Sequence, residues 1–196
     1  MNADFILASG SPRRRELLDR FGFRYRVLRT GVDESIEGNE APDAYVKRIA
    51  MLKARWAFAE DESGLPILAA DTTVVLDGQI MGKPDDEEHA AVMLRALSGR
   101  THAVYSAVVL LQRAAPPKEK LNITQVSFAS LDDHWIAAYC ATGEPMDKAG
   151  AYAMQGLAGE YITRIDGSPS SVMGLPLFET LELLRAAGIG ALPGLT

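Results

Sequence analysis

The chain has 196 residues, 47% of them hydrophobic and 23% charged, which suits one globular domain over residues 1–196 and excludes a disordered polypeptide. Its 20 Lys and Arg against 26 Asp and Glu leave a net charge of −6, a poor balance for gripping a nucleic-acid polymer, although a few basic side chains suffice to hold one polyphosphate. A single cysteine, Cys140, excludes an internal disulfide and a cysteine metal cluster, and in the run Trp135–Ala141 it reads as a packed core side chain. The N-terminus carries Asp4 where a signal peptide has basic residues, and no stretch approaches the ~20 apolar residues of a membrane span. The expectation is a soluble cytoplasmic protein without a membrane partner.

In chain order, a short strand over about Asp4–Ala8 meets the turn Ser9-Gly10-Ser11 and then Pro12. Ser11 as N-cap with Pro12 at the first helical position starts a helix with Leu17, Leu18 and Phe21 on its apolar side, and Gly22 ends it. Tyr25–Leu28 reads as a second strand, and residues 30–42 as a polar loop holding Asp33 and Glu34. Asp43 is expected to cap a long helix to about Glu60, with Tyr45, Ile49, Leu52 and Trp56 at helical spacing. Pro66–Ala70 is a buried strand that delivers Asp71-Thr72-Thr73, and Val74–Leu76, Asp77-Gly78 and Gln79–Met81 form a hairpin. Pro84-Asp85-Asp86 begins a third helix ending near Ser98-Gly99. His102–Leu111 and Leu121–Phe128 are strands joined by a polar turn, Ala114–Lys120. Leu131-Asp132-Asp133 begins a fourth helix, to about Ala141. A Gly-rich irregular stretch, a strand over Tyr161–Ile165 and a helix over Leu177–Ala187 complete the order. A βα unit followed by hairpins between helices predicts an α/β protein with a mixed sheet flanked by helices.

Four features bear on chemistry. Ala8-Ser-Gly-Ser-Pro-Arg-Arg-Arg15 joins a strand to a helix, and backbone N–H groups at a helix N-terminus attract anions. Three arginines in a first helical turn oppose the helix dipole unless an anion answers them; the bland alternative is a solvated basic helix start. Asp71 at the end of an apolar strand is expensive unless it is paired, bound to metal or facing a cleft; a turn-capping carboxylate is the alternative. Glu34 and Asp71 together suit a two-carboxylate Mg²⁺ site completed by phosphate oxygens. Lys53 and Lys83, the latter in a Gly-Lys-Pro turn, are candidates for phosphate, although a lone helical lysine such as Lys53 is usually solvated. Phosphate-loop, dinucleotide-binding, zinc-protease and nucleophile-elbow motifs are all absent, and His89, His102 and His134 lack metal-ligand spacing.

Ile6-Leu-Ala-Ser-Gly-Ser-Pro-Arg-Arg14, Ala69-Ala-Asp-Thr-Thr-Val-Val75, Gly82-Lys-Pro84, Asp147-Lys-Ala-Gly-Ala-Tyr152 and Gly174-Leu-Pro176 occur in that order over residues 5–184. This set resembles the Maf family of nucleoside triphosphate pyrophosphatases. Ser-Pro-Arg-Arg, the Thr after Asp71 and Gln155-Gly156 are similar to the branch acting on dTTP and UTP, not the 7-methyl-GTP branch. The resemblance implies a fold like that of the inosine triphosphatases (a Maf/Ham fold), with two lobes around a cleft, often as a homodimer. It also implies hydrolysis of a nucleoside triphosphate to the monophosphate and pyrophosphate with Mg²⁺, Mn²⁺ or Co²⁺. On the matching positions, the proton acceptor falls on Asp71, the substrate-specificity positions on Arg13, Thr72 and Gln155, and the polar cleft positions on Ser9, Glu34, Lys53 and Lys83. Met146 departs from the small or aliphatic residue expected there.

Those residues allow a mechanism in which the cation, Arg13, Lys53 and Lys83 neutralise the triphosphate while Asp71 orients and deprotonates water. Glu34 is the second metal ligand. Thr72 and Gln155 offer donors and acceptors to a pyrimidine edge. A nucleotide-sensing regulator of cell division with slow turnover is the rival reading. A phosphatase forming a phospho-enzyme on Asp71 is a third, and it would release orthophosphate.

Overall fold

The structure, a computed structural model, describes residues 3–190. Phe5–Leu7 forms β1, buried along its length, and Pro12–Asp19 forms α1. The chain then returns as β2, Tyr25–Val27, parallel to β1 with Phe5 opposite Tyr25 and Leu7 opposite Val27. A parallel pair needs such a crossover, and here the helix supplies it. Ser11 occupies the N-cap position of α1 but makes no side-chain cap; the Ser9 hydroxyl accepts the Ser11 N–H instead, at 3.2 Å.

Helix α2 spans Pro42–Glu60 with Ala41 at its N-cap, two residues before the cap expected at Asp43. Asp43 lies in the first turn, where its charge suits the helix dipole. The buried face also differs from the expected one. It is formed by Tyr45, Val46, Ile49, Ala50, Lys53, Ala54 and Ala57, while Leu52 faces outwards. Large apolar side chains set the expectation, whereas close packing selects the alanines and brings Lys53 inside with them.

Ile67–Leu76 forms β3, parallel to β1 through Ile6 opposite Ile67 and Leu7 opposite Leu68. It is one continuous strand, so Asp71 lies in its middle and not at its end as expected. The charge does not interrupt the strand because a cation meets it, as described below. Residues Asp77 and Gly78, with φ of 51° and 79°, make the tight turn into β4, Gln79–Met81. Both positive values are those a twisted two-residue hairpin requires.

Thr101–Gln112 and Ala115–Phe128 form β5 and β6, and Ile162–Asp166 forms β7, antiparallel to the end of β6. The sheet order is β2-β1-β3-β5-β6-β7, with β4 added on β3. Parallel and antiparallel pairs therefore coexist, as expected of a mixed α/β sheet. The turn expected over Ala114–Lys120 is shorter, since β6 begins at Ala115. Exposed Pro116 and Pro117 lie well before the Gln125–Phe128 segment that pairs with β7, where a missing N–H removes no ladder bond to that strand.

The chain divides into two compact units. One comprises Met1–Asp71, Ser106–Asn122 and Gly174–Thr196; the other comprises Thr72–Tyr105 and Ile123–Met173. The first holds β1, β2, α1, α2 and the C-terminal helix, Leu177–Arg185. The second holds α3 (Glu87–Leu97) and α4 (Asp133–Ala141), capped by the Asp86 and Asp132 side chains, which accept N–H groups at 2.7 and 2.8 Å. Its core includes Leu94, Leu97, Val104, Val126, Phe128, Ile136, Tyr139 and the expected Cys140. Three 3₁₀ turns, Glu144–Asp147, Ala149–Ala151 and Leu157–Tyr161, give form to the Gly-rich stretch. Gly150 there has φ 69° and would set a Cβ 2.8 Å from Val74, so only glycine fits. A one-turn helix, Pro169–Val172, lies between β7 and the last helix and carried no periodic signal in the sequence. Among the described residues no helix is long and apolar enough to cross a membrane.

Candidate active site

The polar centre of the first unit is built on β3 and α2. Asp71 emerges from the buried strand at 5% exposure, and Lys53, on the buried face of α2, reaches it with Nζ 2.7 Å from Oδ1. The same ammonium lies 2.9 Å from Oε1 of Glu34, whose side chain is partly exposed. Lys53 is thus not solvated; it joins two carboxylates from different segments. Burial pushes the Asp71 carboxyl above the usual carboxylate range, a push opposed by Lys53 and Arg14 and reinforced by Glu34. A carboxylate raised in this way is a better proton acceptor than an ordinary aspartate.

Arg14, which sequence reasoning passed over in favour of Arg13, lies beside these carboxylates. It is buried on α1, donates from Nε to the Gly174 carbonyl at 2.7 Å, and donates from a terminal nitrogen to the Ser9 hydroxyl at 3.1 Å. Burial lowers its guanidinium pKa, while Asp71 and Glu34 hold it up. Ser9 therefore accepts from both Arg14 and the Ser11 N–H, which fixes the turn at the start of α1. Arg13 is half-buried on the same helix. The Arg29 side chain lies over Gly10, 3.6 Å from where a Cβ would stand. Helical spacing offers a signal for Arg14: it is three and four residues before the buried pair Leu17 and Leu18, on their face.

The loop bearing Glu34 has no regular structure, yet α2 secures it. The Tyr45 hydroxyl donates to the Glu34 carbonyl at 2.9 Å, and Arg48 donates to the Ser35 carbonyl at 3.0 Å. Arg48 also pairs with Glu37 and Glu40. Burial, with Asp71 and Glu34 nearby, pushes the Tyr45 phenol up to about 12, so it remains a donor at neutral pH.

The structure brings Ser9, Glu34, Lys53 and Asp71 together around Arg14. Thr72, Lys83 and Gln155 belong to the second unit. Thr72 follows Asp71 directly in β3 and is half-buried; Lys83 lies exposed between β4 and α3, and Gln155 exposed before the third 3₁₀ turn. Among the described residues no three His, Cys, Asp or Glu side chains converge to hold a metal. Glu34 and Asp71 do converge on one cationic atom, Nζ of Lys53. Two hard oxygen donors fit a divalent cation that takes its other oxygens from phosphate and water.

Residues 4–187 match the Maf family, described as Maf-like protein. A dTTP/UTP pyrophosphatase of Escherichia coli O157:H7 is 49% identical over 178 residues, covering 91% of this chain and 90% of that protein. One from Methylobacillus flagellatus is 48% identical over 189 residues, covering 96% and 94%. Among solved structures, the Staphylococcus aureus Ham1 protein aligns over 93% of this chain and 96% of its own, with a TM-score of 0.51 at 14% identity. That likeness shows a shared fold.

Proposed function

The chain belongs to the Maf family, and on that premise we propose that it is a pyrophosphatase that hydrolyses dTTP and UTP, with CTP and modified pyrimidine nucleotides as further substrates, and so cleans the cytoplasmic nucleotide pool. The observation that supports this most is the buried Asp71 carboxylate, raised by burial and held by Lys53 and Arg14 in the midst of a strand. Water attacks the α-phosphorus, the bond from that phosphorus to the β-bridging oxygen breaks, and pyrophosphate leaves. Asp71 orients the water and takes its proton. Lys53 can exchange a carboxylate partner for a phosphate oxygen, since Glu34 is partly exposed and readily re-solvated. The α1 start, with Arg13, Arg14 and the Ser9 turn, offers N–H and guanidinium donors to the departing anion, and Lys83 is assigned to phosphate as well. Glu34 and Asp71 are the residues that would hold a divalent cation, which when bound neutralises phosphate charge. Arg13, Thr72 and Gln155 are assigned to base choice, through groups that a purine would leave unpaired.

The test is product identity together with one substitution. The purified protein with Mg²⁺ is expected to release pyrophosphate, not orthophosphate, from dTTP and UTP in preference to GTP. Asp71→Asn should fold and lose about 10²–10⁴ in kcat. Orthophosphate as the first product, or a folded Asp71→Asn protein retaining more than a tenth of the wild-type kcat, would overturn the reading.

A further inference from the structure

We propose that Tyr139 and Glu144 are positioning residues for base choice, acting as a clamp on the backbone that presents Gln155. The inference rests on the assignment of Gln155 to the base. Gln155 stands in a segment without regular structure, between the second 3₁₀ turn and the third. Two residues before it, the Ala153 N–H donates to the Tyr139 hydroxyl at 3.2 Å. Two residues after it, the Leu157 N–H donates to Oε2 of Glu144 at 3.4 Å. The clamp closes because the Tyr139 hydroxyl itself donates to Oε1 of Glu144 at 2.8 Å. One phenol and one carboxylate therefore hold both flanks of Gln155.

Their own placement is rigid. Tyr139 is 2% exposed on α4, and its ring stacks on Trp135 at 4.8 Å. The Thr142 hydroxyl donates to the Tyr139 carbonyl at 2.6 Å and accepts the Glu144 N–H at 3.2 Å, which sets the start of the carboxylate's segment. Gly156 completes the arrangement. A Cβ there would stand 2.0 Å from Oε1 of Glu144 and 2.5 Å from Oε2. Its φ of −101° is open to any residue, so close approach of the carboxylate, not backbone conformation, calls for glycine. A long amide side chain discriminates between bases only if its backbone is fixed beforehand, since otherwise it re-orients to suit either base.

Two substitutions open the clamp by different routes. Tyr139→Phe keeps the ring and its stacking and removes the hydroxyl; Gly156→Ala displaces the Glu144 carboxylate and leaves Tyr139 intact. Each is compared with wild type and with Gln155→Ala by kcat/KM for UTP and GTP side by side, and by amide hydrogen exchange over residues 153–157. Expected are a UTP/GTP ratio lowered about fivefold or more in both variants and faster exchange at Ala153 and Leu157. Adding Tyr139→Phe to Gln155→Ala should lower the ratio no further than Gln155→Ala alone. If Gln155→Ala lowers the ratio while Tyr139→Phe and Gly156→Ala leave it within about twofold, or lower both substrates in proportion, the clamp is refuted and Gln155 stands. If Gln155→Ala itself leaves the ratio unchanged, the assignment of Gln155 falls, and the clamp's role in base choice falls with it.

Discussion

Lys53 and Asp71 are each made tolerable inside the first unit chiefly by the other. Both are buried, and their charges meet at 2.7 Å. Lys53→Met would keep most of the side-chain volume and leave the carboxylate without its nearest cation, a change that costs about 3–5 kcal/mol when a buried pair is broken. The loss should depend on pH. Burial already raises the Asp71 carboxyl and Lys53 opposes that rise, so without Lys53 the folded-state pKa moves further above its unfolded value. A group raised on folding is no burden below its unfolded pKa and becomes one as pH climbs through the folded pKa. In urea unfolding, the stability gap between wild type and Lys53→Met should therefore narrow from pH 8 to pH 5; a constant gap would contradict the pairing. Asp71 and Lys53 were legible in the sequence as separate candidates, but their pairing was not, because 18 positions of chain separate them. Arg14 was hidden for another reason. Three adjacent arginines look equivalent until the face of α1 is known, and of the three only Arg14 is buried.

At the scale of elements, α2 does two tasks with one face and its border. The small side chains of Ala50, Ala54 and Ala57 allow close packing, and Tyr45 and Arg48 hold the loop that carries Glu34. Tyr45→Phe removes the hydrogen bond to the Glu34 carbonyl, worth about 1 kcal/mol. If Glu34 helps to hold the divalent cation, looser anchoring should raise the Mg²⁺ concentration for half-maximal activity by roughly fivefold. Titrating Mg²⁺ into chelator-stripped enzyme checks this, with no turnover expected before metal is added. An unchanged Mg²⁺ requirement in Tyr45→Phe would separate the loop from the cation, and full metal-free turnover would remove the cation altogether. Local signals placed most elements, since Pro12, Asp86, Asp132 and the Asp77-Gly78 turn act through neighbouring backbone. They failed where distant pairing decides. The strand β3 runs on through Asp71 because α2 supplies a cation, and β6 extends over Pro116 and Pro117 because its early residues lie clear of the β7 ladder.

Across the whole molecule, β3, β5 and β6 each pass from one compact unit to the other, at Asp71–Thr72, Tyr105–Ser106 and Asn122–Ile123. A fourth crossing, Met173–Gly174, lies in the short connection before the C-terminal helix; no linker was visible in the sequence because the other three lie inside strands. The second unit, which bears Gln155, has its own titratable core group. His102 on β5 is 2% exposed, packed edge-on against Phe128 and Tyr152, with Nε2 2.8 Å from the Tyr152 hydroxyl. Its Nδ1 has no hydrogen-bond partner among the described residues. Burial pulls the imidazole pKa down to about 4, so the ring is neutral in the folded protein at neutral pH. The unfolded chain takes up the proton near pH 6.5 and the folded chain only near 4, so the stability His102 confers is intact above pH 6.5 and is lost as pH falls towards 4. The slope approaches about 1.4 kcal/mol per pH unit between those values. His102→Gln keeps a polar group within reach of Tyr152 but cannot titrate. It should be less stable than wild type at pH 7.5, because it packs less well, yet lose less stability on acidification. Chemical unfolding of both proteins from pH 7.5 to 4.5 checks this: the two stability curves should converge as pH falls, and parallel curves would show that His102 is not the group that titrates.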